Sequence, residues 1–108
     1  MIYTTMPDKD IAEKVARMLV EERLAACANL FPIDSVYRWK GKEVRPQIEE
    51  AREYVIILKT RKELYQKVEK RIKELHPYKL PAIISYKIEK GLSEYLKWIG
   101  EETGGKIE

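Results

Sequence analysis

A chain of 108 residues has room for one domain with its own core, and its single cysteine excludes a disulfide framework or a CxxC metal or redox motif. Apolar residues make up 44%, which excludes intrinsic disorder, while charged residues make up 36%, above the usual share of about 25% and in the manner of heat-stable surfaces. The net charge of +3 is too small for a nucleic-acid-binding profile, no apolar run reaches the roughly 18 residues of a membrane span, and no basic-then-apolar leader opens the sequence, so a soluble, cytoplasmic, thermostable protein is expected.

MIYTT (1–5) is β-branched and aromatic, ends just before Pro7 and predicts a first strand. A helix follows. Asp8 or Asp10 supplies its N-cap, Asp10 and Glu13 have capping-box spacing, and Ile11, Val15, Met18 and Leu19 form an apolar stripe beside Ala12 and Ala16. Glu13 and Arg17, four residues apart, are placed to pair. Within 24–41 the period changes: Leu30, Phe31, Ile33, Val36, Tyr37 and Trp39 are strand formers, and Pro32, which lacks a ladder donor, predicts a bend or an edge. Gly41 ends that strand, and the polar stretch 42–52 with Pro46 is expected to connect a long hairpin. EYVIILKT (53–60) reads as a central strand buried on both faces.

Thr60 to Glu63 has capping-box spacing, and Leu64, Val68, Ile72 and Leu75 carry a second helix to Pro77. Glu63–Lys67, Glu69–Lys73 and Lys70–Glu74 describe a solvated, salt-bridged outer face. AIISYKI (82–88) predicts a fourth strand. A short helix begins near Ser93 and stops at Gly100, leaving 101–108 as a flexible tail. Two strand–helix–strand crossovers around a hairpin define an α+β, ferredoxin-like split βαβ fold (βαββαβ) with an extra C-terminal helix, in one domain spanning 1–108. Such a fold hosts unrelated activities, so function has to come from the residues.

Those residues supply no catalytic set. Cys27–His76 is the one Cys/His combination, and the alanines around Cys27 point to a buried structural thiol. No glycine-rich loop precedes a helix, and EYVIILKT lacks the aromatic run of an RNA-binding strand. A protein without enzymatic activity is expected. His76 has two readings: a structural one, in which it caps its helix where the dipole favours a cation or bonds to a neighbouring carbonyl, and a functional one, in which its imidazole ligates a transition metal together with carboxylates or other chains. Tyr37, Trp39, Tyr78, Tyr86, Tyr95 and Trp98 are aromatics outside the helical stripes, of the kind subunit interfaces favour, and a long second strand with an interrupting proline is an edge that oligomerisation would cover.

TTMPDKDIAEKVARMLVEERLAACANLFP, SVYRWKGK, ILKTR, ELHPYKLPAII and the closing IEKGLSEYLKWI together resemble the CutA divalent-cation tolerance proteins, in the same order and over residues 2 to 99. The resemblance implies a ferredoxin-like subunit assembled edge to edge into a homotrimer, as in the PII signalling proteins, and a role in tolerance to divalent cations, copper above all. Thr4 and Leu75 stand where copper-binding bacterial members carry a cysteine and a second histidine, so only His76 carries over. Residues 43–47 read as an insertion at the hairpin tip.

The expected function is therefore that of a homotrimeric divalent-cation tolerance protein that binds copper or another divalent cation weakly, through His76 and carboxylates such as Asp34, Glu49, Glu50 or Glu89. No cofactor is obligatory, and neither nucleic acid nor membrane is a partner. The alternative is a trimeric signalling or binding scaffold with a small molecule or partner in inter-subunit clefts lined by Trp39, Lys42, Lys59, His76, Tyr78 and Tyr95. Tyr37, Trp39 and Trp98 are assigned to the trimer interface.

Overall fold

The computed structural model describes residues 1–39 and 47–104. Among these residues four strands form one antiparallel sheet, in which the second strand in sequence lies at one edge, followed by the third, the first and the fourth, and three α-helices accompany it. In sequence these are β1 (Ile2–Met6), α1 (Lys9–Glu21), β2 (Cys27–Trp39), β3 (Gln47–Lys59), a 3₁₀ turn over Lys62–Leu64, α2 (Tyr65–Leu75), β4 (Ile83–Ser85) and α3 (Ser93–Glu102). The two crossovers and the hairpin between them follow the expected βαββαβ order.

The core lies between one sheet face and the helices. Ile2 and Met6 of β1 and Ile56 and Leu58 of β3 pack with Ala12, Val15, Ala16 and Leu19 of α1 and with Leu64, Val68 and Ile72 of the second helical segment. The 3.6-residue stripes predicted these helix faces. Val55, Ile56 and Leu58 are all fully buried, as a central strand demands.

Local signals explain the helix starts and stops. Asp8, not Asp10, caps α1: its Oδ1 accepts the Ile11 N–H at 2.9 Å, while Asp10 lies inside the first turn, so the box from Asp10 to Glu13 does not form. Thr60 does not cap the second helix either. Its hydroxyl donates to the Leu24 carbonyl at 2.6 Å, tying β3 to the loop after α1, and the helix begins instead with the 3₁₀ turn. His76 is the C-cap of α2, as its place before Pro77 implies. α3 runs through Gly100 to Glu102. The glycine at its end is Gly104, at φ +78°, a left-handed conformation that a residue without Cβ adopts freely. Residues 101–104 are thus not tail: Thr103 is 3% exposed and bonded to Arg61. Residues 105–108 lie outside the described part.

The hairpin is longer than its composition indicates. Gln47 to Arg52 continue β3 and pair with Asp34 to Trp39, so most of the expected connection is strand. Its polar residues are compatible with pairing because this half of the hairpin has solvent, not core, against it. The expected insertion at 43–47 falls outside the described residues, apart from the backbone of Gln47. β2 is unbroken through Pro32 and lies at the sheet edge, where a missing donor is tolerated. β4 stops at Ser85 rather than Ile88 because its partner β1 is exhausted: the last link is Tyr86 N–H to the Met1 carbonyl at 2.8 Å. The hairpin gives the molecule extents of 56 × 25 × 22 Å and a radius of gyration of 15.5 Å, against about 13 Å for a compact chain of this length.

The outer faces of the helices are solvated, but their ion pairs differ from those that sequence spacing implies. Glu13 pairs with Lys9 rather than Arg17, Glu69 accepts the Tyr65 hydroxyl at 2.7 Å, and Arg71 joins Glu74 to Glu22 of α1. The planar, five-donor guanidinium of Arg71 reaches across two helices and satisfies two carboxylates at once.

Candidate functional site

The loop from α2 to β4 crosses the sheet face that the helices leave open. His76 begins it and is 8% exposed. Its Nε2 lies 2.6 Å from the Thr5 carbonyl and its Nδ1 accepts the Tyr78 backbone N–H at 3.0 Å. A carbonyl needs a donor and an N–H needs a lone pair, so the imidazole is neutral and carries its proton on Nε2. Both nitrogens are therefore engaged. The ring closes α2, ties its end to β1 and sets the turn into Tyr78; a metal on either nitrogen would have to displace one of these bonds.

Tyr78 follows, its ring 4.8 Å from that of His76 between centroids, and its hydroxyl 3.4 Å from Glu53 Oε2. Burial first, then the Glu53 carboxylate, push the Tyr78 phenol above its ordinary value. Glu53 is the one buried acid among the described residues, at 7% exposure on β3. By strand alternation it shares the open face with Thr5, Val55 and, across the hairpin, Ser35, Tyr37 and Trp39. Of these, Thr5, Ser35, Tyr37, Trp39 and Glu53 line a groove of about 630 Å³ together with Tyr3 and with Tyr78 and its neighbours in the 77–82 loop.

The expected cleft residues separate within one subunit. Trp39 and Tyr78 share the groove with Tyr37. Lys59 is elsewhere, with its Nζ 5.4 Å from the centre of the Tyr95 ring, and Tyr95 in turn packs on Trp98 at 5.4 Å. Lys42 lies outside the described residues. A second depression of about 590 Å³ runs between the β4 edge and the 3₁₀ turn, beside Arg61, Lys62 and Lys87.

The expected metal ligands are scattered as well. Asp34 is highly exposed and 4.0 Å from Arg52, and Glu49, Glu50 and Glu89 are exposed. Among the described residues no three His, Cys, Asp or Glu side chains converge on one point. Cys27 is half-buried rather than buried, with its Sγ 3.9 Å from Asn29 Oδ1. It sits four strand positions, about 13 Å, along β2 from Phe31, which is level with the Val55–Thr5 pair that His76 meets, so the two do not form a pair. Thr4 is fully buried and its hydroxyl has no hydrogen-bond partner among the described residues.

Glu53 is the residue that sequence reasoning passed over. Its signal was present: an acid at the head of an otherwise apolar run, EYVIILKT, read as a strand buried on both faces, where a carboxylate has no cheap place to go.

Comparison with known proteins is consistent across three measures. The family model for CutA1, the divalent ion tolerance protein, matches residues 1–102. The divalent-cation tolerance protein CutA of Pyrococcus horikoshii is 50% identical over 103 residues, covering 95% of this chain and 96% of that protein, and that of Archaeoglobus fulgidus is 45% identical over 100 residues, covering 93% of each. The solved structure of the A. fulgidus protein, described as a periplasmic divalent cation tolerance protein, superimposes with a TM-score of 0.88 at 43% identity, covering 94% of this chain and 95% of that one. The PII-like protein CutA from Nostoc, in apo form, gives 0.84 at 34% identity and covers 94% of both chains.

Proposed function

This chain belongs to the CutA divalent-cation tolerance family, and from that membership we propose that it works as a homotrimer that binds copper or another divalent cation weakly and catalyses no reaction. The observation that supports assembly is the second strand. β2 is a thirteen-residue edge whose outer side pairs with no strand among the described residues, and Val36, Tyr37, Trp39 and Ile48 stand exposed on its hairpin. An edge of that length and apolarity needs covering, and a second and third copy would cover it. Trp98, on α3, belongs to the same expected interface.

Weak rather than tight cation binding fits the donors. The carboxylates at Asp34, Glu49, Glu50 and Glu89 are solvated, and His76 can ligate only by giving up Thr5 or Tyr78. Ions held this way would bridge copies rather than sit in one subunit. No helix among the described residues is long and apolar enough to cross a membrane, and a cytoplasmic setting is part of this reading, although the A. fulgidus relative is described as periplasmic.

Native mass spectrometry with and without Cu²⁺ tests both parts. A trimer that takes up ions is the expected result. A monomer that keeps its helicity would overturn the assembly, and a trimer that takes up none would overturn the cation reading.

A further inference from the structure

Glu53 has no part in the cation chemistry just described. It is 7% exposed, and among the described residues its one side-chain hydrogen bond is the long one from Tyr78 at 3.4 Å. The ion pairs that form among those residues involve other acids. A carboxylate removed from water without a cation beside it is costly, and the cost falls when a cation arrives. Within a single subunit the side chain can be reached, because it forms part of the groove wall with Tyr3, Tyr37, Trp39 and Tyr78.

We propose that this groove binds a small organic cation, a primary or quaternary ammonium, with its charge against Glu53 and its alkyl groups on Tyr37, Trp39 and Tyr78. Ring faces attract ammonium groups and shed water with them, and the carboxylate supplies the opposite charge. The volume of about 630 Å³ suits a small molecule. A metal ion is a poorer occupant: one carboxylate is far from the four to eight ligands that zinc or calcium takes, and both His76 nitrogens are already bonded. An anion would meet the Glu53 charge. Lys79, on the rim, is exposed and not within ion-pair distance of Glu53. The proposal rests on the trimer reading only in that a neighbouring copy would form the outer wall of the groove.

Choline chloride is the probe, followed by NMR of the Trp39 indole and Tyr78 ring, with neutral 3,3-dimethylbutan-1-ol as its isostere. Choline is expected to shift both residues saturably, the neutral alcohol to bind about tenfold more weakly, and Glu53→Gln to weaken choline by a similar factor. If Glu53→Gln does not fold, Trp39→Leu, at a half-exposed position, is expected to weaken choline severalfold and leave the neutral alcohol nearly unchanged. Equal binding of the two probes, or no saturable shift because a neighbour's side chain fills the groove, overturns the proposal. Native mass spectra of the same samples separate this from the assembly: failure of choline on an intact trimer counts against the ammonium site alone, and a monomer counts against the trimer alone.

Discussion

Arg61 and Thr103 lock the last helix to the root of the sheet. The guanidinium donates from Nε to the Thr103 hydroxyl at 3.0 Å and from a terminal nitrogen to the Thr103 carbonyl at 2.9 Å, while the same hydroxyl donates to the Ile99 carbonyl at 2.7 Å. Thr103 therefore satisfies α3 and receives Arg61 at once. Thr103→Val keeps the shape and removes the hydroxyl, leaving the Arg61 Nε–H without its acceptor, while the Ile99 carbonyl keeps the Thr103 backbone N–H at 3.2 Å. A loss of about 1–3 kcal/mol in denaturant unfolding is expected, with earlier amide exchange along α3 than along α1. Unchanged exchange in α3 would show that the lock carries no stability.

His76 is expected to behave as a structural residue. His76→Ala orphans the Thr5 carbonyl and the Tyr78 N–H together, and should cost about 2–3 kcal/mol. His76→Asn retains a donor and an acceptor and should recover part of that. Full stability in His76→Ala, measured by urea unfolding, would remove the hydrogen-bonding account of this ring.

The Arg71–Glu22 fork predicts an acid and salt dependence. Hydrogen bonding to Arg71 holds the Glu22 carboxyl below its ordinary value of 4.5. A lowered folded-state value stabilises the fold above pH 4.5, and the contribution is lost as pH falls through the folded value. Glu22→Gln should flatten that part of the stability–pH curve and reduce its dependence on salt, because the pair is partly exposed.

Tyr78 predicts the opposite limb. Burial and the Glu53 carboxylate raise its phenol above the ordinary 10.0, so the stabilisation is complete below pH 10 and is lost as pH rises through the folded value. Tyr78→Phe should remove this alkaline loss. An ultraviolet titration showing Tyr78 ionising at pH 10 or below would contradict the geometry.

The core predicts the largest single loss. Ile56 is fully buried in the half of β3 that packs against the helices, and Ile56→Ala should cost about 2–5 kcal/mol in urea unfolding. A cost under 1 kcal/mol would mean that helices and sheet close the cavity, which their regular packing opposes.

Residues that act through local periodicity were legible in advance. Ile11 to Leu19 and Leu64 to Leu75 announce their helix faces because every fourth side chain meets the sheet, and Val55 to Leu58 announce a central strand because both sides are covered. What escaped depends on partners distant in sequence. Thr60 has the spacing of a cap, but the Leu24 carbonyl, 36 residues away, takes its hydroxyl. Gly100 looks like a stop until Arg61 and Thr103 hold the next turn. The outer hairpin looks like a loop because its pattern is polar, and only pairing from Asp34 to Trp39 makes it a strand. In the site, His76 was found and its bond to a carbonyl was among the anticipated roles, whereas Glu53 was missed because an acid inside an apolar run was read for its neighbours.

The hairpin of β2 and β3 also divides the chain into two thermodynamic populations. Residues from Cys27 to Ile33 and from Glu53 to Lys59 share their fate with the helices, so substitutions there register in the folding equilibrium. Val36 and Ile48, 68% and 63% exposed, have little to lose when a lone subunit unfolds. Polar replacements at those two positions should be almost silent in the unfolding of an isolated subunit and should appear instead as a dependence of apparent stability on protein concentration. On the trimer reading, a single strand pair carries information about two equilibria, and dilution is the variable that separates them.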